Sequence, residues 1–190
     1  MFNRVLDEHL ACFRSLDQLS EQISRAGRML TDTIANAKKI LICGNGGSAS
    51  DAQHFAAEIV GRFKQDRSPW PAIALNTDTS LLTAITNDYS YSDIFSRQVE
   101  ALGVSGDMLI GISTSGQSKN VTQAAIQARQ KGMQTIALVG NGGGELIEHA
   151  DISVIIPSDI TARIQEVHIF ILHFWAEMIE STLANGKEPT

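Results

Sequence analysis

KILICGNGGSASDAQHFAAEI, residues 39–59, joins three kinds of sequence in one stretch. KILIC is a short apolar run of strand length, GNGGS is a knot of small residues, and the remainder carries a helical pattern. Further apolar runs stand at AIAL (72–75), DMLIGI (107–112), QTIALV (134–139) and ISVII (152–156), with helical patterns between them. Five buried strands alternating with helices predict an α/β fold: a doubly wound, five-stranded parallel sheet with helices on both faces. Ahead of it, in residues 1–37, apolar positions Val5, Leu6, Leu10, Phe13, Leu16, Leu19, Ile23, Met29, Leu30 and Ile34 recur at threes and fours. That spacing predicts a helical arm, either one long amphipathic helix or two that meet near Gly27. Behind it, ARIQEVHIFILHFWAEMIE (162–180) is apolar nearly all round and reads as a helix buried on most sides. Ser158, Asp159 and Thr161 are its candidate N-caps.

A chain of 190 residues, 43% of them hydrophobic, suits one domain with a full core. Its net charge of -6 argues against a surface for nucleic-acid backbones, while leaving room for a local pocket for one small phosphate. Cys12 and Cys43 form neither a CxxC pair nor a disulfide framework, which fits a reduced, cytoplasmic setting. No apolar run is long enough to cross a bilayer, and the acids of DEHLACF interrupt any signal-peptide core.

Two strand ends carry the polar signals. Gly44, Gly46 and Ala49 satisfy the GxGxxA spacing of dinucleotide folds, but the second strand runs into Asn76 where such folds offer an acid to the ribose. No Gly-Lys-Ser/Thr follows, so a P-loop is excluded. The other end is Ser113-Thr114-Ser115-Gly116-Gln117-Ser118, four hydroxyls in six residues ahead of a helical run. One serine suffices to cap a helix; several hydroxyls at a helix start make a phosphate cup, where side chains donate to oxygens and the dipole favours the charge. Asn141-Gly142-Gly143-Gly144 reads as a turn.

His54 and Glu58 stand at i and i+4 on the helix leaving the glycine loop, hence on one face. Such a pair can share a metal ion, form an ion pair facing solvent, or act as a base beside a sugar. His168, on the apolar closing helix, reads as a core residue. Asn87 and Asp88 follow the helical run LLTAIT, where an Asx turn accounts for them equally well.

The glycine and hydroxyl loops together resemble those of the sugar isomerase (SIS) domain family. CGNGGS, QHFAAE, Asn87-Asp88, DIFSR, ISTSGQS, and RIQEVH with a second His five residues later are similar to the phosphoheptose isomerases within it. The resemblance implies a single SIS domain over residues 1–190 with a flavodoxin-like three-layer αβα core, and an arm at 1–37 used in oligomerisation. It implies an enzyme converting D-sedoheptulose 7-phosphate to D-glycero-D-manno-heptose 7-phosphate through an enediol(ate), for bacterial surface glycans. Ser113, Thr114, Ser115 and Ser118 then hold the phosphate, and Asn45, Gly46, Gly47, Ser48, Glu58, Asn87, Asp88 and Gln165 contact the substrate. One Zn²⁺ per subunit is expected on His54, Glu58, Gln165 and His173, with Glu58 and His173 as the acid–base pair.

Gln165 and His173 are eight residues apart, about 12 Å of helix rise, so one ion scarcely touches both on a straight helix. Either the helix is irregular near Gln165 or a neighbouring subunit supplies one ligand. The second option agrees with the family's tetramers, whose active sites lie at subunit interfaces. Thr161-Ala162 departs from the Ala-Asp of some members and leaves no acid at that position, so the resemblance does not fix the fine identity of the substrate. Two rival readings are an isomerase of another phosphosugar and a non-enzymatic SIS protein that binds a replication initiator. That non-enzymatic relative lacks an acid at the position of Glu58, which this chain keeps.

Overall fold

The computed structural model describes residues 1–184. In chain order the elements are α1 (Phe2–Arg14), α2 (Ser20–Ala35), β1 (Ile40–Gly44), α3 (Gly47–Val60), β2 (Ala72–Ala74), α4 (Thr79–Asp88), α5 (Ser96–Leu102), β3 (Met108–Ser113), α6 (Lys119–Gln130), β4 (Gln134–Val139), β5 (Ile152–Ile155) and α7 (Thr161–Leu183). The strands pair in the order β2-β1-β3-β4-β5, all parallel. This is the flavodoxin-like doubly wound order, and each apolar run lies within one residue of its strand.

Alternation along the strands divides the core in two. Ile40, Ile42, Ile110, Ile136 and Val154 face α2, α3 and α7, while Leu41, Cys43, Leu109, Ala137 and Val139 face α4, α5 and α6. With both faces covered, no polar alternation appears in the sequence of these strands.

The N-terminal arm breaks earlier than its periodicity suggests. A 3₁₀ segment at Ser15–Leu19 separates α1 from α2, and Gly27 lies inside α2. Gly27 is instead a crossing point: a Cβ there would stand 2.6 Å from Met178 Sδ and 3.1 Å from Trp175 Cδ1 on α7. Fully buried Trp175 also donates from Nε1 to the Ile23 carbonyl at 2.8 Å. The arm therefore packs on the closing helix of its own chain.

The expected caps of α7 differ as well. Ile160 occupies the N-cap position without a side-chain bond, and the Ser158 hydroxyl accepts from the Ile160 N–H instead. Arg163 ties the start of α7 to the arm by donating to the Val5 carbonyl at 2.8 Å and to Glu166, which also holds His9 at 2.8 Å.

Candidate active site

Ligands of open parallel sheets sit beyond the carboxyl ends of the strands where the winding reverses, here between β1 and β3. Gly44 at the end of β1 lies opposite Ile112, one residue before Ser113, so the glycine and hydroxyl loops emerge side by side. Gly46, at φ 57° and ψ -120°, lets β1 turn abruptly into α3, and a Cβ on it would meet open space. Ser48 is buried in the first turn of α3. Asn76 donates from Nδ2 to the Gly44 carbonyl at 2.6 Å, tying the end of β2 to this loop.

The hydroxyl loop is organised around Ser113. Its Oγ lies 2.9 Å from the Ser118 Oγ and accepts from the Gly116 N–H at 3.0 Å; the Ser115 Oγ accepts from the Gln117 N–H at 3.2 Å. Thr114 is half-buried between them. Helix α6 starts immediately after Ser118, so its positive end lies against the hydroxyls.

Asn45 joins the two loops. Its amide exchanges two 2.9 Å hydrogen bonds with Asn120 on α6, and its Oδ1 also accepts from the Tyr91 hydroxyl at 2.9 Å. Asn87 and Asp88 are exposed in the last turn of α4, which runs through Asp88 with no Asx turn, and they bond to each other at 2.8 Å.

Further along α3, His54 Nε2 lies 2.8 Å from His173 Nε2 and 3.2 Å from Glu58 Oε1. One donor atom from each of His54, Glu58 and His173 falls within 4.8 Å of the others. Two imidazoles and a carboxylate converging from two helices match the donor set of a zinc site that keeps a position open for water or substrate. Gln165 lies elsewhere. Helix α7 is α-helical without interruption from Thr161 to Leu183, and a Cβ on Gly47 would stand 2.4 Å from Gln165 Nε2. The side chain thus rests on the first turn of α3, about two turns from His54. The irregular-helix option is ruled out by this geometry.

A model of the SIS domain matches residues 6–140. Phosphoheptose isomerase from Helicobacter pylori (strain Shi470) is 54% identical over 172 residues, 90% of each chain. That from Bordetella avium is 50% identical over 191 residues, 99% of this chain and 97% of the relative. The structure of phosphoheptose isomerase GmhA from Neisseria gonorrhoeae superposes with a TM-score of 0.90 at 43% identity, covering 95% of this chain and 97% of that one.

The chain belongs to the phosphoheptose isomerase family of SIS-domain proteins. For a member of that family, several structural features lie outside the sequence motifs. Asn120 and Tyr91, which hold the Asn45 amide, come from two other elements. The Gly142–Gly144 turn backs the cup: a Cβ on Gly116 would stand 1.8 Å from the Gly143 carbonyl oxygen, and Leu146 N–H donates to the Gly116 carbonyl. Asp51, one turn before His54, has a carboxylate oxygen buried without a partner among the described residues. Burial lifts its pKa to about 6, with His54 acting the other way. Phe63 stacks on His173, centroids 5.7 Å apart and rings 30° from parallel. The run of four hydroxyls stood out by composition; these partners share no period or spacing with the residues they touch.

His168 is fully buried, and burial lowers its pKa to about 4 with the Val139 backbone acting the other way. It is a neutral core residue, as its apolar neighbours suggest. Burial likewise pushes the Cys43 thiol up, and both cysteines are free and buried. No helix among the described residues is long and apolar enough to cross a membrane.

Proposed function

We propose that this isomerase interconverts D-sedoheptulose 7-phosphate and D-glycero-D-manno-heptose 7-phosphate, at the start of heptose synthesis for bacterial surface glycans, in the cytoplasm. The observation that carries the reading is the convergence of His54, Glu58 and His173 within 4.8 Å in a chain 54% identical to a phosphoheptose isomerase.

Moving the carbonyl from C2 to C1 requires one proton to leave C1 and arrive at C2, and another to pass between the two oxygens. Glu58 is the base that takes the C1 proton of the open-chain ketose, leaving an enediol(ate), and returns it at C2. His173 moves the proton between O1 and O2. In the arrangement described, its Nε2 faces His54, so this traffic requires the pair to open or the other ring nitrogen to serve. Ser113, Thr114, Ser115 and Ser118 hold the phosphate at the positive end of α6 and so fix the distance from C7 to the reacting carbons. Asn45 has its carbonyl oxygen occupied by Asn120 and Tyr91, so its side chain meets the sugar as a donor. Gly46, Gly47, Ser48, Asn87 and Asp88 complete the sugar's side of the cleft.

The triad fits a Zn²⁺ ion, one per subunit, held by His54, Glu58 and His173. When bound, such an ion supplies positive charge toward the oxygens of the enediolate. Gln165 of a neighbouring subunit would complete the donor set in a homotetramer, to whose interface the α1–α2 arm would contribute. Purified protein incubated with sedoheptulose 7-phosphate and a panel of other phosphoketoses, with and without a chelator, tests the reading. Aldose formation from sedoheptulose 7-phosphate that chelation abolishes is expected. Turnover of a different ketose phosphate alone would transfer the activity to that sugar, and no turnover would sink the enzyme reading.

A further inference from the structure

Glu180, near the end of α7, is a buried acid with a full set of donors. Its Oε1 accepts from the Phe63 N–H at 3.0 Å, and its Oε2 from the N–H groups of Lys64 at 2.7 Å and Gln65 at 2.8 Å. Arg67 Nε adds a bond to Oε1 at 3.2 Å, with the two side chains 5% and 2% exposed. The same guanidinium donates from Nη2 to the Glu58 carbonyl at 2.8 Å and from Nη1 to the Ile59 carbonyl at 2.9 Å, and lies 3.7 Å from the Trp70 ring centroid. Those carbonyls belong to the last turn of α3, where backbone acceptors have no partner within the helix.

A buried ion pair is weak evidence for stability, because desolvation offsets most of its attraction. What distinguishes this one is the set of atoms it holds. One end grips the backbone of the residue carrying Glu58, and the other grips Phe63, whose ring lies against His173. We propose that Glu180 and Arg67 are positioning residues: a buried clamp that fixes the last turn of α3 and the Phe63 ring, and through them the mutual placement of Glu58 and His173. The proposal rests on the isomerase reading for its catalytic consequence, but its effect on the donor triad stands apart from any substrate.

Supporting partners of metal ligands typically change affinity or activity by about 10- to 100-fold when removed. Glu180→Gln is therefore expected to bind Co²⁺, followed by its visible absorption, about tenfold more weakly than wild type. Its kcat on sedoheptulose 7-phosphate falls by at least about tenfold, while KM stays within about threefold because the phosphate cup is untouched. Phe63→Leu leaves the clamp in place and loses only the ring, so it serves if Glu180→Gln does not fold. It is expected to lose kcat and Co²⁺ affinity together, and Phe63→Tyr, which keeps the ring, to recover most of both. Folded Glu180→Gln or Phe63→Leu protein with wild-type kcat and Co²⁺ affinity overturns the proposal. If wild type turns over no ketose phosphate, the isomerase reading fails, while Co²⁺ affinity in the same variants still decides the clamp.

Discussion

Glu58 has its carboxylate 3.2 Å from His54, and its backbone carbonyl is held by Arg67, so side chain and backbone are both fixed. Replacing it by Gln keeps the shape and removes the carboxylate proposed as the base. General-base groups typically contribute about 10²- to 10⁴-fold, so Glu58→Gln is expected to lose that much in kcat, read as aldose formed from sedoheptulose 7-phosphate. His168 yields a prediction on stability. Its pKa is about 4 in the fold against an ordinary 6.5, so between those values the unfolded chain holds more protons and acid favours unfolding. The destabilisation grows as pH falls from about 6.5 to about 4 and totals on the order of 3 kcal/mol. A His168→Leu protein should show a shallower loss of urea midpoint across that window; identical slopes would refute the assignment. The pairing of Glu58 with His54 was legible beforehand from their i,i+4 spacing, and the burial of His168 from its apolar helix. Phe63, Asn120 and Asp51 were not, because each meets its partners only once the chain has folded, with no local spacing to mark it.

At the scale of elements, the strands were legible because burial on both faces leaves continuous apolar runs that little else explains. The arm was harder to divide: the 3₁₀ segment at Ser15–Leu19 keeps Leu16 and Leu19 on the core side, so hydrophobic spacing passes through it without a mark. Gly27, which suggested a break, instead lets α2 approach α7. Gly27→Val is expected to cost about 1–3 kcal/mol in chemical unfolding through overpacking against Met178 and Trp175. The turn at Asn141–Gly144 was read correctly as a turn but not as a support for the cup. Gly116 combines φ +66° with a Cβ position 1.8 Å from the Gly143 oxygen, so Gly116→Ala cannot be accommodated where the loops now stand. It should raise KM for the phosphosugar by tenfold or more while the Co²⁺ affinity of the triad stays unchanged, a split that substrate kinetics and metal titration measure separately.

For the whole molecule, the decisive fact is that α7 is unbroken, which separates Gln165 from His173 within one chain. If Gln165 acts in a neighbour's site, an inactive Glu58→Gln subunit and an inactive Gln165→Ala subunit complement each other. Random co-assembly should restore about a quarter of the sites, because each restored site needs one chain of each kind across an interface. Mixtures no more active than either variant alone would return Gln165 to its own chain. The sequence exposed the eight-residue spacing that raises this question, but a choice between chains depends on surfaces that no single-chain pattern encodes.

Helices α3 and α7 meet at Gly47 with Gln165, at His54 with His173, and beyond the end of α3 where Phe63, Lys64 and Gln65 reach Glu180. They act as two scales laid edge to edge, with the glycine-loop contact, the donor triad and the Glu180 contacts marked at successive graduations. Inserting one residue into α7 between Gln165 and His173 would turn everything beyond it by about 100° and advance it about 1.5 Å, misaligning two marks at once. Length variation in this architecture is therefore expected in its connecting loops, and not in the interval from Gln165 to Glu180.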